Sequence, residues 1–321
     1  MSELLYLSEA DIAGLHLRPA VVRAALARAF RLHAEGRTRV QPKLTVAVGP
    51  GHFFQSLCAA APELSYAANK WVGVAAENAA RGLANVNGVV ILSDVETGVP
   101  VAILDGNSLT VLRTAAMSAL VAQHLARTDS TSISFVGCGA QAHGHLEALR
   151  DVLPSLQEVV CCSRSDSSAE RLAAVARTLG LEARVARSAT EALVCDVVVT
   201  SVPASTALRP FLHAGELRPG CFVCAVDLGR SWQEEGLRAL DILVTDDHAQ
   251  AADPANRAKL GYPGPFDADL AALVSGTHPG RTDRLQRAMF LFPGFALADL
   301  AIAAQLYAAA VEAGRGARLT R

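Results

Sequence analysis

Residues 133–142 join an apolar run to a glycine-rich turn, reading Ile-Ser-Phe-Val-Gly-Cys-Gly-Ala-Gln-Ala. The pattern predicts a buried strand, a tight turn and then a helix, with helical spacing continuing to Leu149. Gly137 permits the turn, Gly139 has no side chain to keep a pyrophosphate from the backbone, and Ala142 allows close packing. The free N–H groups of the helix would face the phosphates. The stretch therefore indicates a dinucleotide site, with a plain structural turn as the alternative.

The next predicted strand, residues 158–162, is followed by Ser163-Arg164-Ser165. At this position of a dinucleotide fold an acidic residue usually accepts the ribose 2′-hydroxyl of NAD. This chain has no acid there, and its guanidinium and two hydroxyls suit a 2′-phosphate, because arginine forms paired charge-assisted hydrogen bonds to phosphate. The sequence therefore favours NADP(H) over NAD(H). The alternative is a solvated arginine on a loop.

Composition narrows the class of protein. The chain has 321 residues, 51% of them hydrophobic, and this length predicts about two domains. A formal net charge of -2 provides no basic field to attract nucleic acid. No apolar run reaches the ~18 residues of a membrane span. The N-terminus lacks the basic start and cleavage site of a signal peptide, so we expect a cytoplasmic protein.

The cysteines and histidines predict no metal site. The seven cysteines are mostly embedded in apolar runs, which indicates reduced, buried thiols. Cys221 and Cys224 have the spacing of a metal or redox pair, but they lie in an apolar strand-like run without a second pair nearby. His143 and His145 are one residue apart on a predicted helix and point to different faces.

Two kinds of pattern divide the chain. Residues 18–35 and 109–126 have helical spacing, and short strands between them predict a mostly antiparallel β domain. These strands are 44–48, 53–57, 70–74 and 86–92. Short apolar strands then alternate with helices, which predicts a parallel sheet. Those strands are 133–136, 158–162, 183–186, 196–200, 221–226 and 241–245. An Ala/Leu-rich helix, 294–313, is expected to pack back on the first domain.

The predicted fold class is α/β, with a Rossmann-type doubly wound parallel sheet and a second, β-rich domain. The predicted boundaries are 1–118 with 297–321 for the β-rich domain, and 119–296 for the dinucleotide-binding domain. Ligands of such sheets bind at the carboxyl ends of the strands. Gly137, Ser163, Ser201 and Asp227 are therefore expected on one rim.

Several blocks together resemble the ornithine cyclodeaminase/mu-crystallin family over nearly the whole chain. They are Lys70 in Lys-Trp-Val, 88–98 (Gly-Val-Val-Ile-Leu-Ser-Asp-Val-Glu-Thr-Gly), 113–116 (Arg-Thr-Ala-Ala), 137–142, and 294–299 (Gly-Phe-Ala-Leu-Ala-Asp). The resemblance implies a homodimer. Its first domain, completed by the C-terminal helix, would bind substrate and dimerise through its strands, and its second domain would bind NAD(H) or NADP(H).

By the same resemblance, a cluster of cations holds the α-carboxylate of the substrate. Lys70 and Arg113 match the family's lysine and arginine, and Lys43 stands where the family has an arginine. Fixed cations can orient the α-carbon beside the nicotinamide. Lys70 is also expected to exchange protons, since neighbouring cations lower the pKa of a lysine. Taken without the family, each residue reads as an exposed surface cation.

Two acids of the family's cyclodeaminases lack counterparts here. In the run 225–231, Gly229 occupies the family's aspartate position and Asp227 comes two residues early. Residues 54–57 contain no carboxylate for a distal amine. A site for a diamino acid is therefore disfavoured, because burying a second ammonium unpaired is costly. Arg230 would instead suit a second carboxylate, as in iminosuccinate, or would pair with Glu234 or Glu235 at the surface.

These features predict a reductase that converts a small α-imino acid to an α-amino acid with NADPH, or runs the reverse dehydrogenase reaction. The alternatives are an ornithine or lysine cyclodeaminase that recycles its cofactor, and a mu-crystallin-like NADPH-dependent ligand-binding protein. The predicted catalytic residues are Lys70 and Asp227, and the predicted substrate-binding residues are Lys43, Gln55, Lys70, Arg113 and Arg230. The predicted cofactor-binding residues are Asn85, Arg113, Thr114, Gly137, Gly139, Ala140, Gln141, Ser163, Arg164, Ser165, Ser201, Val202 and Val226.

Overall fold

A computed structural model describes residues 3–205 and 207–320. In chain order the strands are β1 (Glu3–Leu7), β2 (Arg39–Val40), β3 (Leu44–Gly49), β4 (His52–Ala61), β5 (Tyr66–Ala75), β6 (Val86–Asp94), β7 (Pro100–Asp105), β8 (Ser132–Val136), β9 (Glu158–Cys162), β10 (Glu182–Val185), β11 (Val197–Thr200), β12 (Phe222–Ala225), β13 (Ile242–Thr245), β14 (Ala268–Asp269), β15 (Ala288–Leu291) and β16 (Ala317–Thr320). The α-helices are α1 (Glu9–Ala13), α2 (Pro19–Ala34), α3 (Gly106–Leu125), α4 (Ala140–Val152), α5 (Asp166–Thr178), α6 (Glu234–Leu237), α7 (His248–Ala252), α8 (Pro254–Arg257), α9 (Leu270–Ser275) and α10 (Ala296–Glu312).

The chain divides into two compact units. Unit 1 comprises Met1–Arg113 with Gly294–Arg321, and unit 2 comprises Thr114–Pro293. The sequence places the corresponding borders after residues 118 and 296. The roles predicted for the two domains, substrate binding with dimerisation and dinucleotide binding, stay predictions.

Unit 1 is built on an eight-stranded sheet in the order β16-β1-β7-β6-β5-β4-β2, with β3 paired to β4. The pairs are antiparallel except for β1 with β7. The predicted antiparallel character is therefore confirmed, and all four predicted strands are present. Helix α10 packs against α2 and against β4, β5 and β6, as expected for the C-terminal helix. Its one buried charged side chain is Asp299, and the structure describes every residue of this helix.

The face of the unit 1 sheet that lies away from α10 carries exposed apolar side chains. Val46 lies opposite Phe54 in register, and Trp71 lies opposite Val89. The rings of Phe54 and Trp71 stack with centroids 5.4 Å apart. The exposed large apolar residues of this face include Leu44, Val46, Trp71, Val89 and Ile91. A cleft of about 560 Å³ opens at one end of the face, on the opposite side of β5 from Lys70.

Unit 2 is an eight-stranded sheet in the order β10-β9-β8-β11-β12-β15-β13-β14. Each neighbouring pair is parallel, which confirms the predicted Rossmann-type sheet. All six predicted strands are present. The periodicity missed β14 and β15, and β15 lies between β12 and β13. Four fully buried apolar residues form β15, a length at which a central strand has no alternating pattern to detect.

Within residues 3–205 and 207–320, no helix has both the length and the apolar character needed to cross a membrane.

Candidate active site

The glycine turn between β8 and α4 is shaped to admit a ligand close to its backbone. Gly137 has φ +94°, a conformation that other residues rarely adopt, and a β-carbon there would lie 2.7 Å from the Ser201 carbonyl oxygen. At Gly139 a β-carbon would meet no atom of the described residues within 4 Å. The first glycine therefore makes the turn, and the second leaves its outer side open, as a pyrophosphate requires.

The start of α4 offers groups that suit a dinucleotide. Gly139 is its N-cap, and no side chain of the described residues caps it. The first N–H groups of the helix can therefore donate to an anion, which the helix dipole also favours. The Oε1 atom of Gln141, in the first turn, is buried without a hydrogen-bond partner in the described part of the chain. The N–H groups at the start of α4 fit a cofactor that carries phosphate groups. The Gln141 oxygen can only accept a hydrogen bond, so it would require a donor group of the ligand.

The four residues expected on one rim follow neighbouring strands of the parallel sheet. The Gly137 N–H donates to the Cys162 carbonyl at 2.8 Å, and Ser163 comes directly after Cys162. Ser201 Oγ donates to the Gly137 carbonyl at 2.9 Å. Asp227 lies just beyond β12, the neighbour of the strand that precedes Ser201. The carboxyl edge of unit 2 therefore brings these positions together.

Arg164 is the exposed residue between Ser163 and Ser165, where α5 begins. It makes no hydrogen bond or ion pair to any residue in the described ranges, so its guanidinium is available to an anion. The Ser165 and Ser167 hydroxyls are 2.9 Å apart. Asp166, the next acid in the chain, is exposed in the first turn of α5.

Asp227 is buried, and both of its carboxylate oxygens accept hydrogen bonds. Oδ1 accepts from Thr200 Oγ1 at 3.0 Å and from the Gly229 N–H at 3.2 Å. Oδ2 accepts from Ser231 Oγ at 2.6 Å. Burial raises the pKa of Asp227, although these hydrogen bonds favour its ionised form. In this arrangement the side chain orders the loop after β12, and its part in proton transfer stays a prediction.

Arg230 lies against the same loop. Its Nε donates to the Asp227 carbonyl at 2.9 Å, and burial lowers the pKa of Arg230, opposed by the Asp227 charge. Among the residues described, Glu234 pairs with Arg238 at 2.5 Å and makes no pair with Arg230. Within the described ranges Arg230 makes no ion pair with Glu235 either, so the predicted alternative of a surface pairing is not formed.

Lys70 and Arg113, predicted to bind substrate, are brought together in unit 1 by a buried carboxylate. Lys70 on β5 is 3% exposed, and its Nζ donates to Asp299 Oδ1 at 2.8 Å and to Thr110 Oγ1 at 3.4 Å. Arg113 Nε lies 3.2 Å from the same Asp299 oxygen. A strand, the helix α3 and the C-terminal helix thus contribute one charge each to the cluster.

Lys70 titrates nearer to neutrality than an ordinary lysine. Burial lowers the pKa of Lys70 to about 8 as the main cause, the Asp299 charge opposes this, and the Arg113 charge adds to it. The sequence attributes a lowered pKa to neighbouring cations. The direction agrees with the structure, but the loss of hydration is the larger cause.

Lys43 and Arg113 reach the same point in space. A β-carbon on Gly294 would lie 3.3 Å from both Arg113 Nη1 and Nη2, and 3.6 Å from Lys43 Nζ. Gly294 also has φ +89°, so the backbone itself requires glycine. Glycine therefore keeps a side chain out of the point on which the two cationic groups converge.

The other predicted residues are more scattered. Gln55 donates through Nε2 to Thr45 Oγ1 at 3.0 Å, across the β3–β4 pair. Asn85 belongs to unit 1, where its carbonyl accepts from the Ala75 N–H. Thr114 is buried, and its Oγ1 has no hydrogen-bond partner in the described ranges. Ala140 is the first residue of α4, and Val202 and Val226 follow closely on β11 and β12.

Asp299 is the one residue of this cluster to which the sequence alone assigns no role, although it ends the family block 294–299. A usable signal was present. An acid on an otherwise apolar helix face is rare, because burying an unpaired carboxylate costs several kcal/mol. A buried acid on such a helix predicts a cationic partner on the strand or helix against which it packs.

The model of the ornithine cyclodeaminase/mu-crystallin family matches residues 6–314. The chain belongs to this family. Alanine dehydrogenase of Archaeoglobus fulgidus is 32% identical over 303 residues, 92% of each chain. An archaeal alanine dehydrogenase dimer with bound NAD has TM-score 0.88 and 29% identity, covering 99% of both chains. Delta(1)-pyrroline-2-carboxylate reductase of Thermococcus litoralis, in complex with NADH and L-proline, has TM-score 0.87 and 27% identity, covering 98% of this chain and 99% of that one.

Membership in the ornithine cyclodeaminase/mu-crystallin family confirms two predictions. The solved family members share the fold of both units along almost the full length of the chain. The enzyme class is also confirmed, an NAD(P)-dependent oxidoreductase of amino or imino acids.

Proposed function

We propose that this family member reduces a small α-imino acid to the α-amino acid with NADPH, or catalyses the reverse oxidation. The observation that carries the proposal is the convergence of Lys43 and Arg113 beside Gly294, with Lys70 fixed next to Arg113. Paired charge-assisted hydrogen bonds from such a cluster suit a carboxylate and set the position of the α-carbon.

Lys70 is proposed as the proton donor. With a pKa near 8 it is mostly charged at pH 7, yet it releases a proton easily. In reduction, Nζ gives a proton to the substrate nitrogen and is reprotonated from water, and in oxidation it accepts one. A bound nicotinamide supplies or receives the hydride at the α-carbon. The groups proposed to hold that cofactor are the open backbone at Gly139 and the start of α4.

A small substrate without a distal amine is favoured. Asp299 is the carboxylate of the cluster, and its Oδ1 is already shared by Lys70 and Arg113. A second ammonium would therefore meet cations, which is unfavourable in a partly dry site. The similar proteins named for alanine and for pyrroline-2-carboxylate support a compact substrate. Arg230 is the residue proposed for a second carboxylate, as in iminosuccinate.

Preference for NADPH is proposed as a property of this chain. The solved structures of similar proteins contain NAD and NADH. Support comes from Arg164, which is exposed without a protein partner in the described ranges and is flanked by Ser163 and Ser165. An arginine in that setting can take a 2′-phosphate without first breaking an ion pair.

A homodimer is proposed from the exposed apolar face of unit 1, which includes Leu44, Trp71 and Val89. Apolar patches of this kind mark contact surfaces. The similar alanine dehydrogenase is a dimer. Light scattering at micromolar concentration is expected to give twice the mass of the chain, and a monomer would refute this part of the proposal.

The function is tested with a substrate panel assayed with NADPH and NADH: pyruvate plus ammonia, oxaloacetate plus ammonia, pyrroline-2-carboxylate, and ornithine alone. One molecule of NADPH consumed per amino acid formed is the expected result. Proline and ammonia from ornithine without net cofactor use would establish the cyclodeaminase instead. Tight NADPH binding with no turnover on any substrate would favour the ligand-binding alternative.

A further inference from the structure

Asp299 is enclosed together with the two cations that it binds. The side chain of Asp299 is 1% exposed, and those of Lys70 and Arg113 are 4% and 9% exposed. One oxygen, Oδ1, serves both cations. The other, Oδ2, is buried and has no hydrogen-bond partner in the part of the chain that the structure describes. The Asp299 carboxylate therefore contacts Lys70 and Arg113, and its burial shields it from a ligand.

Asp299 decides which edge of Arg113 can face a ligand. The contact is made by Nε, at 3.2 Å. Nη1 and Nη2 are both 3.3 Å from the point where Gly294 would carry a β-carbon. The guanidinium thus turns its Nε edge toward the Asp299 charge, in an ion pair without a hydrogen bond. Its outer, Nη edge lies where Lys43 Nζ also reaches. A planar cation fixed in this way presents two N–H donors to one carboxylate.

Asp299 is also the counter-ion of Lys70. Directly opposite Lys70 on β4 and β6 are Leu57 and Val90, both buried and apolar. Helix α3 faces Lys70 with the Thr110 hydroxyl and the positive charge of Arg113. Among the described residues, the carboxylate that acts on Lys70 is that of Asp299, on α10. A buried ammonium without it would lose its proton.

We propose that Asp299 is a positioning residue of this site: its carboxylate keeps Lys70 charged and presents the outer edge of Arg113 to the substrate carboxylate. This inference rests on the proposed reductase function. Asp299 itself touches neither the substrate nor the cofactor.

The test is Asp299→Asn, which keeps the shape and removes the charge. Loss of the anion favours neutral Lys70, so the pKa of Lys70 falls. The alkaline limb of kcat/KM for imine reduction, which requires charged Lys70, should move to lower pH by about one unit or more. KM for the imino acid should rise roughly tenfold, because Arg113 loses its orientation. A native limb and native KM in this variant would overturn the proposal.

Asp196→Asn is the matched control, since Asp196 in unit 2 is similarly buried and also pairs with two cations, Arg127 and Arg218. Asp196→Asn should lower thermal stability and leave the alkaline limb of kcat/KM at its native pH. Asp299→Glu is the second variant, for the case in which Asp299→Asn does not fold. The charge is retained, so its limb should stay near the native position while KM rises. A limb displaced to acid in the glutamate variant would overturn the proposal.

Failure of the proposed function is separable from failure of this inference. If no imine is reduced, the pKa of Lys70 is measured directly by NMR of ¹³C-labelled lysine in the native protein and in Asp299→Asn, with NADPH fluorescence as the check that unit 2 is intact. A lower pKa in the variant supports positioning by Asp299 whatever the substrate. Equal pKa values would refute it.

Discussion

Asp299 in unit 1 and Asp196 in unit 2 are both buried acids that pair with two cations, yet their surroundings differ. Asp196 Oδ1 meets Arg127 at 3.1 Å and Arg218 at 3.2 Å. Its Oδ2 accepts from the backbone and hydroxyl groups of Thr131 and Ser132. Both carboxylate oxygens of Asp196 therefore have several partners. Asp196 directly precedes β11, at the amino end of the sheet. This is a closed structural network.

The Asp299 cluster is open by comparison. One carboxylate oxygen serves two cations, and the outer edge of Arg113 faces a point kept clear by Gly294. Two arginines around an acid are therefore no sign of an active site by themselves. What distinguishes the two regions is the acid itself: both oxygens of Asp196 accept hydrogen bonds, whereas Asp299 Oδ2 is buried without a hydrogen-bond partner in the described ranges.

The largest expected effect is on Lys70. Lys70→Met should lower kcat roughly a hundredfold to ten-thousandfold, the range for a general acid, while NADPH binding is retained. Stopped-flow hydride transfer and NADPH titration measure the two quantities. If kcat falls less than tenfold, Lys70 is not the proton donor. The Asp299 cluster would then have no more part in catalysis than the Asp196 cluster.

The lowered pKa of Lys70 should also make the free energy of unfolding depend on pH. Its pKa near 8 lies below the ordinary 10.5, so between these values the unfolded chain binds more protons than the native protein. Native stability should therefore rise with pH across that window from this group. Urea unfolding at a series of pH values is expected to show the rise in the native protein and a smaller one in Lys70→Met.

Asp196→Asn tests the closed network. Removing one partner of a buried pair should cost about 3 kcal/mol of unfolding free energy, with KM unchanged. Burial opposes ionisation of Asp196, but the Thr131 N–H and the two arginines outweigh it and lower its pKa. Its stabilisation is thus present above pH 3.8 and lost as pH falls through the lower native pKa. A raised KM in this variant would contradict a purely structural role.

Arg164 extends the comparison to arginines with and without a partner. Arg164→Gln should weaken NADPH binding roughly tenfold to a hundredfold, the equivalent of about 1.5–3 kcal/mol, and NADH binding far less. Arg184→Gln is the control, because Arg184 already pairs with Glu158 and Glu191 at 3.1 Å. Fluorescence titration with both cofactors gives the affinities. Equal losses for NADPH and NADH in Arg164→Gln would remove the case for NADPH preference.

Gly294→Ala should have the smallest effect. The positive φ costs about 1 kcal/mol of stability, and the new methyl group would stand 3.3 Å from Arg113 Nη1 and Nη2. KM is expected to rise a few-fold with little change in kcat. The control is Gly36→Ala, where φ is +70° but no atom of the described residues lies within 4 Å, so stability falls and KM does not change. A native KM in Gly294→Ala would mean that the carboxylate binds elsewhere.

Sequence reasoning was most successful where the information is local. The turn at Gly137 and Gly139 depends on backbone conformation and side-chain size at consecutive positions, and it has the expected geometry. The strand β15 was missed because four apolar residues carry no period. Asp227 was recognised as a residue of the rim, but its three hydrogen bonds come from a strand end and a loop that only the folded sheet brings together.

By itself the sequence determined the two kinds of unit and the glycine turn, because these follow from residue type and short-range spacing, whereas Lys70 and Arg113 are predicted as site residues only through the resemblance to the family. Only the tertiary structure decided how the two cations are held. Lys70 and Asp299 are 229 residues apart in the chain, and they pair because α10 packs over β5. Burial at that contact, which no local pattern specifies, is also the main reason why the pKa of Lys70 is low.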